Sequence, residues 1–335
     1  MEKKVQRYVR SRRFCEALGI SAEDRRLELH LLGQGEYNVN YWFCHPNTKE
    51  KLVLRINTGS QMHLDNQIVY EYETLKLLQN SKRTPRPIFV DDTREDIEYG
   101  VMVMEFLEGR PLNYRTDMKL AAECLADIHS MPIEKNRILL SPKDCLRAIL
   151  DECNEMIEIY NKSPLGEEKK KIKIQKMLES GEKKLTMAKA YDGQVCCINT
   201  ELNSGNFLIN GAGKDNYLVD WEKALLGDMA QDLGHFLAPT TTFWKTDVIL
   251  SEEEMDDFVQ EYRKQVGNRI EVGDLEERLK LFLPINCLRG ITWCAMAWIQ
   301  YQGGDKLIQN EKTWGKLNQY LADEFLEEIS RRYEL

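Results

Sequence analysis

The amino-acid sequence predicts an α+β protein in which a small antiparallel β-sheet with one inserted helix is followed by a mostly helical region. Short runs of β-branched and aromatic residues recur up to about residue 107, and only one helical pattern interrupts them. Beyond Asp117, apolar residues recur mainly at helical spacing. We therefore predict an N-terminal domain with a leading helix over residues 1–107 and a helical C-terminal domain over 108–335.

The N-terminal elements follow from the positions of glycine, proline and apolar residues. Gly33-Gln34-Gly35 separates two strand-like runs, and Pro46 with Asn47 predicts the next turn. Ile68 and the apolar residues after it recur at helical spacing. The predicted elements are a helical region up to about residue 29, strands at 31–32, 37–43 and 51–56, a helix at 66–79, and strands at 88–90 and 99–106.

The C-terminal region predicts helices around one compact β segment. An apolar stripe ends at His129, and Ser163-Pro164-Leu165-Gly166 separates the next two helical patterns. The predicted elements are a helix from 117 to 129, two helices within 143–190, strands at 195–198, 207–209 and 217–219, and helices from Trp221 to the C-terminus.

Composition narrows the classes of partner. The formal net charge of −9 argues against nucleic acid as the main partner, because phosphate backbones require a basic surface. No apolar run approaches the roughly 20 residues that span a bilayer, and no secretory signal follows the basic N-terminus. The nine cysteines are scattered without a C-x-x-C pair, which predicts buried, reduced thiols. We expect a cytoplasmic protein without a membrane or nucleic-acid partner.

Two polar residues flank the predicted hairpin. Asn206 precedes its first strand and Asp220 follows its second. Because a hairpin brings the ends of its strands together, an amide oxygen and a carboxylate converge on one point. Such oxygen ligands suit Mg²⁺, which takes one or two carboxylates together with substrate phosphates. A single Asn or Asp is more commonly a turn residue, but the pair with its flanking sequence predicts a metal site.

The segment around this hairpin resembles a known family. Residues 199–209 read Asn-Thr-Glu-Leu-Asn-Ser-Gly-Asn-Phe-Leu-Ile, similar to the His-Gly-Asp-Leu-x-x-x-Asn catalytic loop of aminoglycoside phosphotransferases and choline kinases. Residues 218–233 contain Leu-Val-Asp-Trp-Glu, Leu-Gly-Asp and Asp-Leu, similar to that family's Ile-Asp-Trp-Glu and Gly-Asp-Pro-x-x-Asp-Leu. The resemblance implies a two-lobed protein-kinase-like fold that binds Mg-ATP between its lobes. It implies Asn206 and Asp220 as metal ligands, and Asp228 and Asp232 as structural or substrate-side acids.

The N-terminal half supplies the nucleotide side of this resemblance. No helix follows Gly33-Gln34-Gly35, which excludes Rossmann and Walker phosphate sites, whereas strand–turn–strand is the geometry of a kinase phosphate-covering loop. Arg55 stands at the position of the kinase strand lysine, and Glu71, or alternatively Glu73, is its expected ion-pair partner. The segment 104–109 resembles the family's hinge. The residues implied in nucleotide binding are Gly33, Gly35, Arg55, Glu71, Glu105 and Leu107.

The catalytic loop departs from the family at its acid. Glu201 stands where the family has aspartate, with Asn199 for histidine and Thr200 for glycine. Glutamate keeps the carboxylate that orients the acceptor hydroxyl or takes its proton, but displaces it by one methylene. Two interpretations remain open: a working kinase with Glu201 as its catalytic residue, or a nucleotide-binding pseudokinase or regulatory module with impaired transfer. We favour the working enzyme.

The acceptor is expected among the C-terminal helices. Trp298 and Tyr301 lie three residues apart on one helical face, where they either stack on a sugar or amine or pack in the core. The absence of His-Arg-Asp, Asp-Phe-Gly and Ala-Pro-Glu argues against a protein kinase. The resemblance therefore implies transfer of the ATP γ-phosphoryl group, with Mg²⁺, to a hydroxyl of an amino sugar, sugar or choline-like alcohol. ATP and GTP are not distinguished.

Overall fold

The computed structural model describes residues 1–21, 23, 27–133, 138–188, 193–303 and 311–335. The chain divides into two compact units. The first comprises residues 1–111, 131–140 and 206–224, and the second comprises 112–130, 141–205 and 225–335. The first unit thus includes the hairpin segment 206–224. The sequence-based domain boundary after residue 107 stays a prediction.

The first unit contains a five-stranded antiparallel sheet in the order β1-β2-β3-β5-β4. Helix α3 lies between β3 and β4 along the chain. This is the predicted small antiparallel sheet with one inserted helix. The bounds in this unit are α1 (Glu2–Tyr8), α2 (Arg12–Leu18), β1 (His30–Gln34), β2 (Asn38–Cys44), β3 (Lys51–Asn57), α3 (Gln67–Leu78), a 3₁₀ turn (Gln79–Ser81), β4 (Pro87–Asp91) and β5 (Gly100–Glu105).

Strand β3 has one face in the hydrophobic core and the other face in a cleft. Successive side chains of a strand point to opposite faces of the sheet. Leu52, Leu54 and Ile56 enter a core that they share with residues of α1 and α2. The intervening Val53 and Arg55 therefore face the other side of the sheet, where both line a cleft.

The predicted leading helical region is two short helices. Ser11 caps α2 by accepting a hydrogen bond from the amide of Phe14, and Gly19 ends that helix with φ 64°. Leu27 to Leu29 are not helical, so helix as far as residue 29 was wrong. Part of that prediction, at residues 22 and 24–26, lies outside the described residues.

The predicted glycine turn is displaced by two residues. Gly33 lies inside β1 at a bulge, and the chain reverses between Gly35 and Asn38, where the Gly35 amide donates to the Asn38 carbonyl at 2.8 Å. Gly33 pairs with Asn40 across β1 and β2. The strand extends through the glycine because a bulge absorbs the extra residue.

The second unit is mostly helical, and the first unit also takes in a short hairpin. β6 pairs with β9 in the second unit, and β7 pairs with β8 in the first. The remaining bounds are α4 (Met118–His129), α5 (Cys145–Lys162), α6 (Glu168–Met187), β6 (Cys196–Ile198), β7 (Phe207–Leu208), β8 (Tyr217–Leu218), β9 (Leu225–Gly227), α7 (Met229–Leu237), α8 (Pro239–Thr246), α9 (Glu252–Val266), α10 (Leu275–Gly303), α11 (Glu311–Tyr320) and α12 (Asp323–Tyr333).

Strand β9 corrects the prediction that helices follow Trp221 directly. Its three residues, Leu225 to Gly227, pair with Cys196 to Ile198 of β6. A strand this short carries no period-2 pattern, and its partner lies far away along the chain. Pairing with β6 therefore fixes a strand that local sequence does not reveal.

Helix α10 is the longest element among the described residues. It contains Pro284 and is long and apolar enough to cross a membrane by length and composition alone. That result corrects the expectation that no run approaches this length. Because 61% of its most apolar stretch is buried within the protein, the helix also fits a core helix of this unit.

Candidate functional site

A cleft of about 660 Å³ in the first unit collects eight of the residues singled out in the sequence. Its volume lies in the range of small-molecule sites, roughly 300–1,000 Å³. The turn between β1 and β2, strand β3, the segment after β5 and the hairpin β7–β8 contribute to its lining. The eight residues are Gly33, Gly35, Arg55, Glu71, Glu105, Leu107, Asn206 and Asp220.

A buried guanidinium stands in this cleft. Arg55 Nη2 donates to Asp220 Oδ1 at 2.7 Å, and Arg55 Nε lies 3.0 Å from Glu71 Oε2, without the alignment of a hydrogen bond. Glu222 Oε2 lies 3.6 Å from the same Nη2. The Arg55 side chain is only 6% exposed. One cation therefore faces three carboxylates, and the ion pair expected between Arg55 and Glu71 is confirmed.

Burial and the neighbouring charges together shift the pKa values of Glu71 and Arg55. Burial raises the pKa of Glu71; Arg55 opposes that rise, but Asp220 and Glu222 add to it and the pKa reaches about 7. Burial by itself lowers the pKa of Arg55, whereas the three carboxylates together raise it above its ordinary value. Arg55 therefore stays charged, whereas Glu71 changes protonation near neutral pH.

The hairpin positions the two proposed metal ligands. Phe207 pairs with Leu218, and the Val219 amide donates to the Asn206 carbonyl at 2.9 Å, so Asn206 and Asp220 lie at the same end of the hairpin. Asp220 adopts φ 67°, and its side chain is 37% exposed. An amide oxygen and an accessible carboxylate in one cleft fit Mg²⁺ with phosphate oxygens. Their role as ligands stays a prediction.

Apolar side chains form another part of the cleft lining. Val53, Leu75 and Met104 contribute to it with Leu208 and Val219 of the hairpin segment. Glu105 and Leu107 lie beside this apolar part, in the segment predicted as the hinge. An apolar lining of this kind suits a planar base, and a nucleotide-binding role for Glu105 and Leu107 stays a prediction.

The glycines of the turn are not required by the protein's own packing. A Cβ at Gly33 would meet no heavy atom within 4 Å, and one at Gly35 would lie 3.8 Å from the Asn38 carbonyl oxygen. Neither adopts a positive φ. Gly109 is different, because it has φ 156° and a Cβ there would lie 2.7 Å from the Leu208 backbone. Packing among the described residues therefore does not require glycine at 33 or 35.

Two cleft residues were missed as candidates in the sequence. Glu222 carries the third carboxylate, and Asn38 donates its side-chain amide to that carboxylate. Glu222 stands in the run 218–222, and Asn38 follows the glycine turn. Their proximity to these two motifs was the signal in the sequence. The contact between them could not be predicted, because the two residues are 184 positions apart along the chain.

The loop that carries Glu201 belongs to the second unit and is anchored by Asp232. The completely buried Asp232 carboxylate accepts the amides of Asn199 and Thr200, each at 2.7 Å, and lies 3.3 Å from His129 Nε2. Thr200 adopts φ 69°, a left-handed conformation that glycine adopts freely and that residues with a side chain, apart from Asn and Asp, rarely adopt. The family glycine is therefore replaced without abandoning the backbone conformation that glycine favours.

Arg289 of α10 braces the same loop. Its Nη1 donates to the Thr200 carbonyl at 3.1 Å, and its Nη2 lies 3.7 Å from Glu201 Oε1. Its Nε donates to Glu152 Oε2 of α5 at 2.7 Å. Burial by itself lowers the pKa of Arg289, but Glu152 and Glu201 raise it above its ordinary value. A fixed cation therefore stands beside the Glu201 carboxylate, a contact that sequence reasoning did not find.

Asp228 is a helix cap in this structure. Its Oδ1 accepts the Ala230 amide at the start of α7, and its Oδ2 accepts from Arg278 Nε at 2.7 Å. The residue is 1% exposed, and burial raises the pKa of its carboxyl group. These contacts favour the structural alternative for Asp228; a substrate-side role stays a prediction.

Trp298 and Tyr301 pack against a third aromatic residue. Their rings stack on Trp314 of α11 at centroid distances of 5.8 and 6.1 Å, and Trp298 Nε1 donates to Asn318. This favours the packing alternative over a role in acceptor binding, which stays a prediction. Nearer the Glu201 loop, Trp293 lies one turn beyond Arg289 on α10 and meets Trp244 edge-on at 5.4 Å.

Within the described ranges, no group of three or more His, Cys, Asp or Glu side chains is arranged to hold a metal ion.

The nine cysteines are free thiols. Most are buried as expected, but Cys44, the last residue of β2, is exposed, and Cys145 is only partly buried.

Residues 28–276 match the model of the phosphotransferase enzyme family, which covers most of the 335-residue chain. The chain belongs to this family. No curated protein matches the chain significantly. The membership confirms the resemblance found in the catalytic-loop and hairpin segments. It places the chain among phosphotransferases without naming its acceptor.

Solved structures of this kind share the fold at low identity. A Ralstonia eutropha protein assigned as an aminoglycoside phosphotransferase has a TM-score of 0.68 at 13% identity, over 99% of this chain and 98% of that one. A spectinomycin phosphotransferase solved with ADP and spectinomycin gives 0.63 at 14%, over 92% and 93%. Cryptosporidium parvum choline kinase gives 0.64 at 13%, over 92% of each chain. The predicted protein-kinase-like fold class is confirmed.

Replacing Asp232 should destabilise the protein at the loop that carries Glu201. Asp232→Ala removes a buried acceptor of two backbone amides, and each hydrogen bond to a charged group contributes about 1.5–3 kcal/mol, so we expect a loss of roughly 3 kcal/mol or more. Urea denaturation followed by circular dichroism measures it. Asp232→Asn keeps one acceptor oxygen and should lose less. Exposed Asp256→Ala on α9 is the control, and equal stability of Asp232→Ala and this control would contradict the anchoring role.

The raised pKa of Glu71 should appear in the pH dependence of stability. The unfolded chain releases this proton near pH 4.5, whereas the folded protein holds it to about pH 7. Because the folded state binds more protons in this window, the free energy of unfolding should fall as pH rises through it, by on the order of 1–3 kcal/mol. Denaturation of wild type and Glu71→Gln at several pH values isolates this contribution. A constant difference between the two proteins from pH 4.5 to pH 7 would argue against it.

Proposed function

We propose that this protein transfers the γ-phosphoryl group of ATP, with Mg²⁺, to a hydroxyl group of a small molecule. The observation that carries the proposal is the meeting of Arg55, Glu71, Asn206 and Asp220 in one cleft of a phosphotransferase-family chain. Phosphoryl transfer relies on positioned charges more than on covalent chemistry. This cleft supplies positioned charges at about 3 Å from one another.

The nucleotide's parts match different parts of the cleft. The apolar lining by Met104 and Val53, next to the backbone of Glu105 and Leu107, suits adenine. The permanently charged Arg55 suits phosphate oxygens. Asn206 and Asp220 would hold Mg²⁺, which when bound neutralises charge that develops on the transferred group.

Glu201 is the proposed catalytic residue on the acceptor side. It stands five residues before Asn206 along the chain, and its side chain is 31% exposed, which leaves it accessible to an acceptor hydroxyl. Its carboxylate would orient the hydroxyl and accept its proton as the new P–O bond to the acceptor forms and the bond between the γ-phosphorus and ADP breaks, which releases ADP. The contact with Arg289 restrains a side chain that is one methylene longer than aspartate.

The acceptor class is a small molecule with a free hydroxyl. The structural neighbours are named for spectinomycin and choline. Amino sugars, sugars and choline-like alcohols are therefore the first acceptors to test, and no single member of that group is singled out by the described residues.

Nucleotide binding is the first measurement, because it needs no acceptor. Saturation about 100-fold above Kd should add near 2.7 kcal/mol of stability. We expect thermal stabilisation of wild type by Mg-ATP that is much smaller without Mg²⁺ and is lost in Asp220→Ala. Asp215→Ala, an exposed acid in the turn of the same hairpin, is the matched control and should behave as wild type. GTP and ADP define the nucleotide preference. No stabilisation by any nucleotide would refute the proposed function.

Glu201 is tested by separating transfer from binding. Glu201→Gln should keep the thermal shift with Mg-ATP but lower ADP release with an active acceptor by about 10²–10⁴-fold, the usual contribution of general acid–base catalysis. Glu201→Asp, which introduces the family residue, should retain part of the activity. Unchanged turnover in Glu201→Gln would remove Glu201 from this role. Nucleotide binding without ADP release for every acceptor in wild type would instead indicate a binding module.

A further inference from the structure

Asn38 fixes the end of the turn between β1 and β2. It is the first residue of β2, is 4% exposed, and its carbonyl accepts the Gly35 amide at 2.8 Å. The turn residues between these two, Glu36 and Tyr37, line the cleft with them. The position of the Asn38 backbone therefore determines where the turn lies over the cleft.

Both ends of the Asn38 side-chain amide are hydrogen-bonded, one to Glu222 and the other to Asn57. Its Nδ2 donates to the Glu222 carboxylate, and its Oδ1 accepts from Asn57 Nδ2 at 3.0 Å. Asn57 is itself held, because its Nδ2 also donates to the Gly59 carbonyl at 2.8 Å. An ionised carboxylate only accepts hydrogen bonds, so Glu222 fixes which end of the amide faces it.

Glu222 is in turn held from two directions. Its backbone carbonyl accepts from Gln67 Nε2 at 2.7 Å, and its carboxylate lies 3.6 Å from Arg55 Nη2, the nitrogen that also binds Asp220. Glu222 follows Asp220 by two residues. A continuous polar chain thus runs from the turn through Asn38, Glu222 and Arg55 to Asp220.

We propose that Asn38 and Glu222 are positioning residues that set the distance between the phosphate-covering turn and the proposed metal ligand Asp220. This inference rests on the proposed function and deepens it. The Asn38–Glu222 contact, here called the turn bridge, would hold the turn over the part of the cleft that Arg55 and Asp220 line, where the phosphates and Mg²⁺ would bind. It has no part in holding the base. Affinity for di- and triphosphates should therefore depend on the turn bridge, and affinity for AMP should not.

Asn38→Leu tests the turn bridge without changing charge. Leucine has the same branched shape and the same number of side-chain heavy atoms as asparagine but no hydrogen-bonding group. The substitution removes both hydrogen bonds of the Asn38 side chain, to Glu222 and to Asn57. Because the turn is then no longer held, we expect Mg-ATP and Mg-ADP to bind at least about tenfold more weakly by titration calorimetry. AMP should bind within about twofold of wild type, since the base contacts are unchanged.

The reciprocal pair Asn38→Asp/Glu222→Gln should rescue binding. The new carboxylate can accept from the new amide and from Asn57, and the net charge equals that of wild type. We expect Mg-ATP affinity within about threefold of wild type. Asn38→Asp alone places two carboxylates together and should lose the affinity that the pair restores.

Hydrogen exchange of the Gly35 amide provides a readout that needs no nucleotide. Its protection should fall in Asn38→Leu and return in the double variant, because the bridge holds its acceptor in place. Unchanged protection in Asn38→Leu would overturn the inference, as would equal weakening of AMP and Mg-ATP, which indicates general destabilisation. If wild type binds no nucleotide but exchange follows the expected pattern, the proposed function fails while the turn bridge stands.

Discussion

The first unit depends on one buried cation. Arg55 extends from the central strand and meets carboxylates from α3 and from the segment after β8. Three elements that are distant along the chain therefore converge on a single guanidinium. Removing one partner of a buried ion pair typically costs about 3–5 kcal/mol, because the other charge is left uncompensated. The cluster therefore couples the sheet, the inserted helix and the hairpin segment. It also explains why a permanently charged arginine suits this position better than lysine, whose pKa falls readily on burial.

The same cluster is not electrically balanced. Three carboxylates around one guanidinium leave excess negative charge. Burial is the main cause of the raised pKa of Glu71, and the neighbouring Asp220 and Glu222 add to it. On the proposed function, this excess favours a divalent cation at Asp220. Cation binding there would then lower the proton affinity of Glu71 through the field it adds. Stability, metal binding and protonation of the site are thus expected to vary together.

Sequence periodicity predicted the elements whose pattern is local. The helices at Gln67–Leu78 and Met118–His129 have apolar stripes that face one side, and such stripes need no knowledge of distant partners. The turn at Gly35 was placed two residues early because a bulge at Gly33 lengthens β1. Strand β9 and the Asn38–Glu222 contact were not predicted. Both are fixed by partners far away in sequence, and a single sequence carries no signal for such pairing.

The conformation of the loop that carries Glu201 bears on whether the protein is an active enzyme. A threonine in the left-handed region costs on the order of 1–3 kcal/mol and persists only where the surroundings enforce it. Here Asp232 binds the two amides and Arg289 binds the carbonyl at Thr200, so the loop keeps the conformation that the family's glycine favours. Because Arg289 also faces the longer acid, the substitutions at 200 and 201 are accommodated together. A loop held at such cost, with Glu201 accessible, favours phosphoryl transfer over a binding module that has lost it.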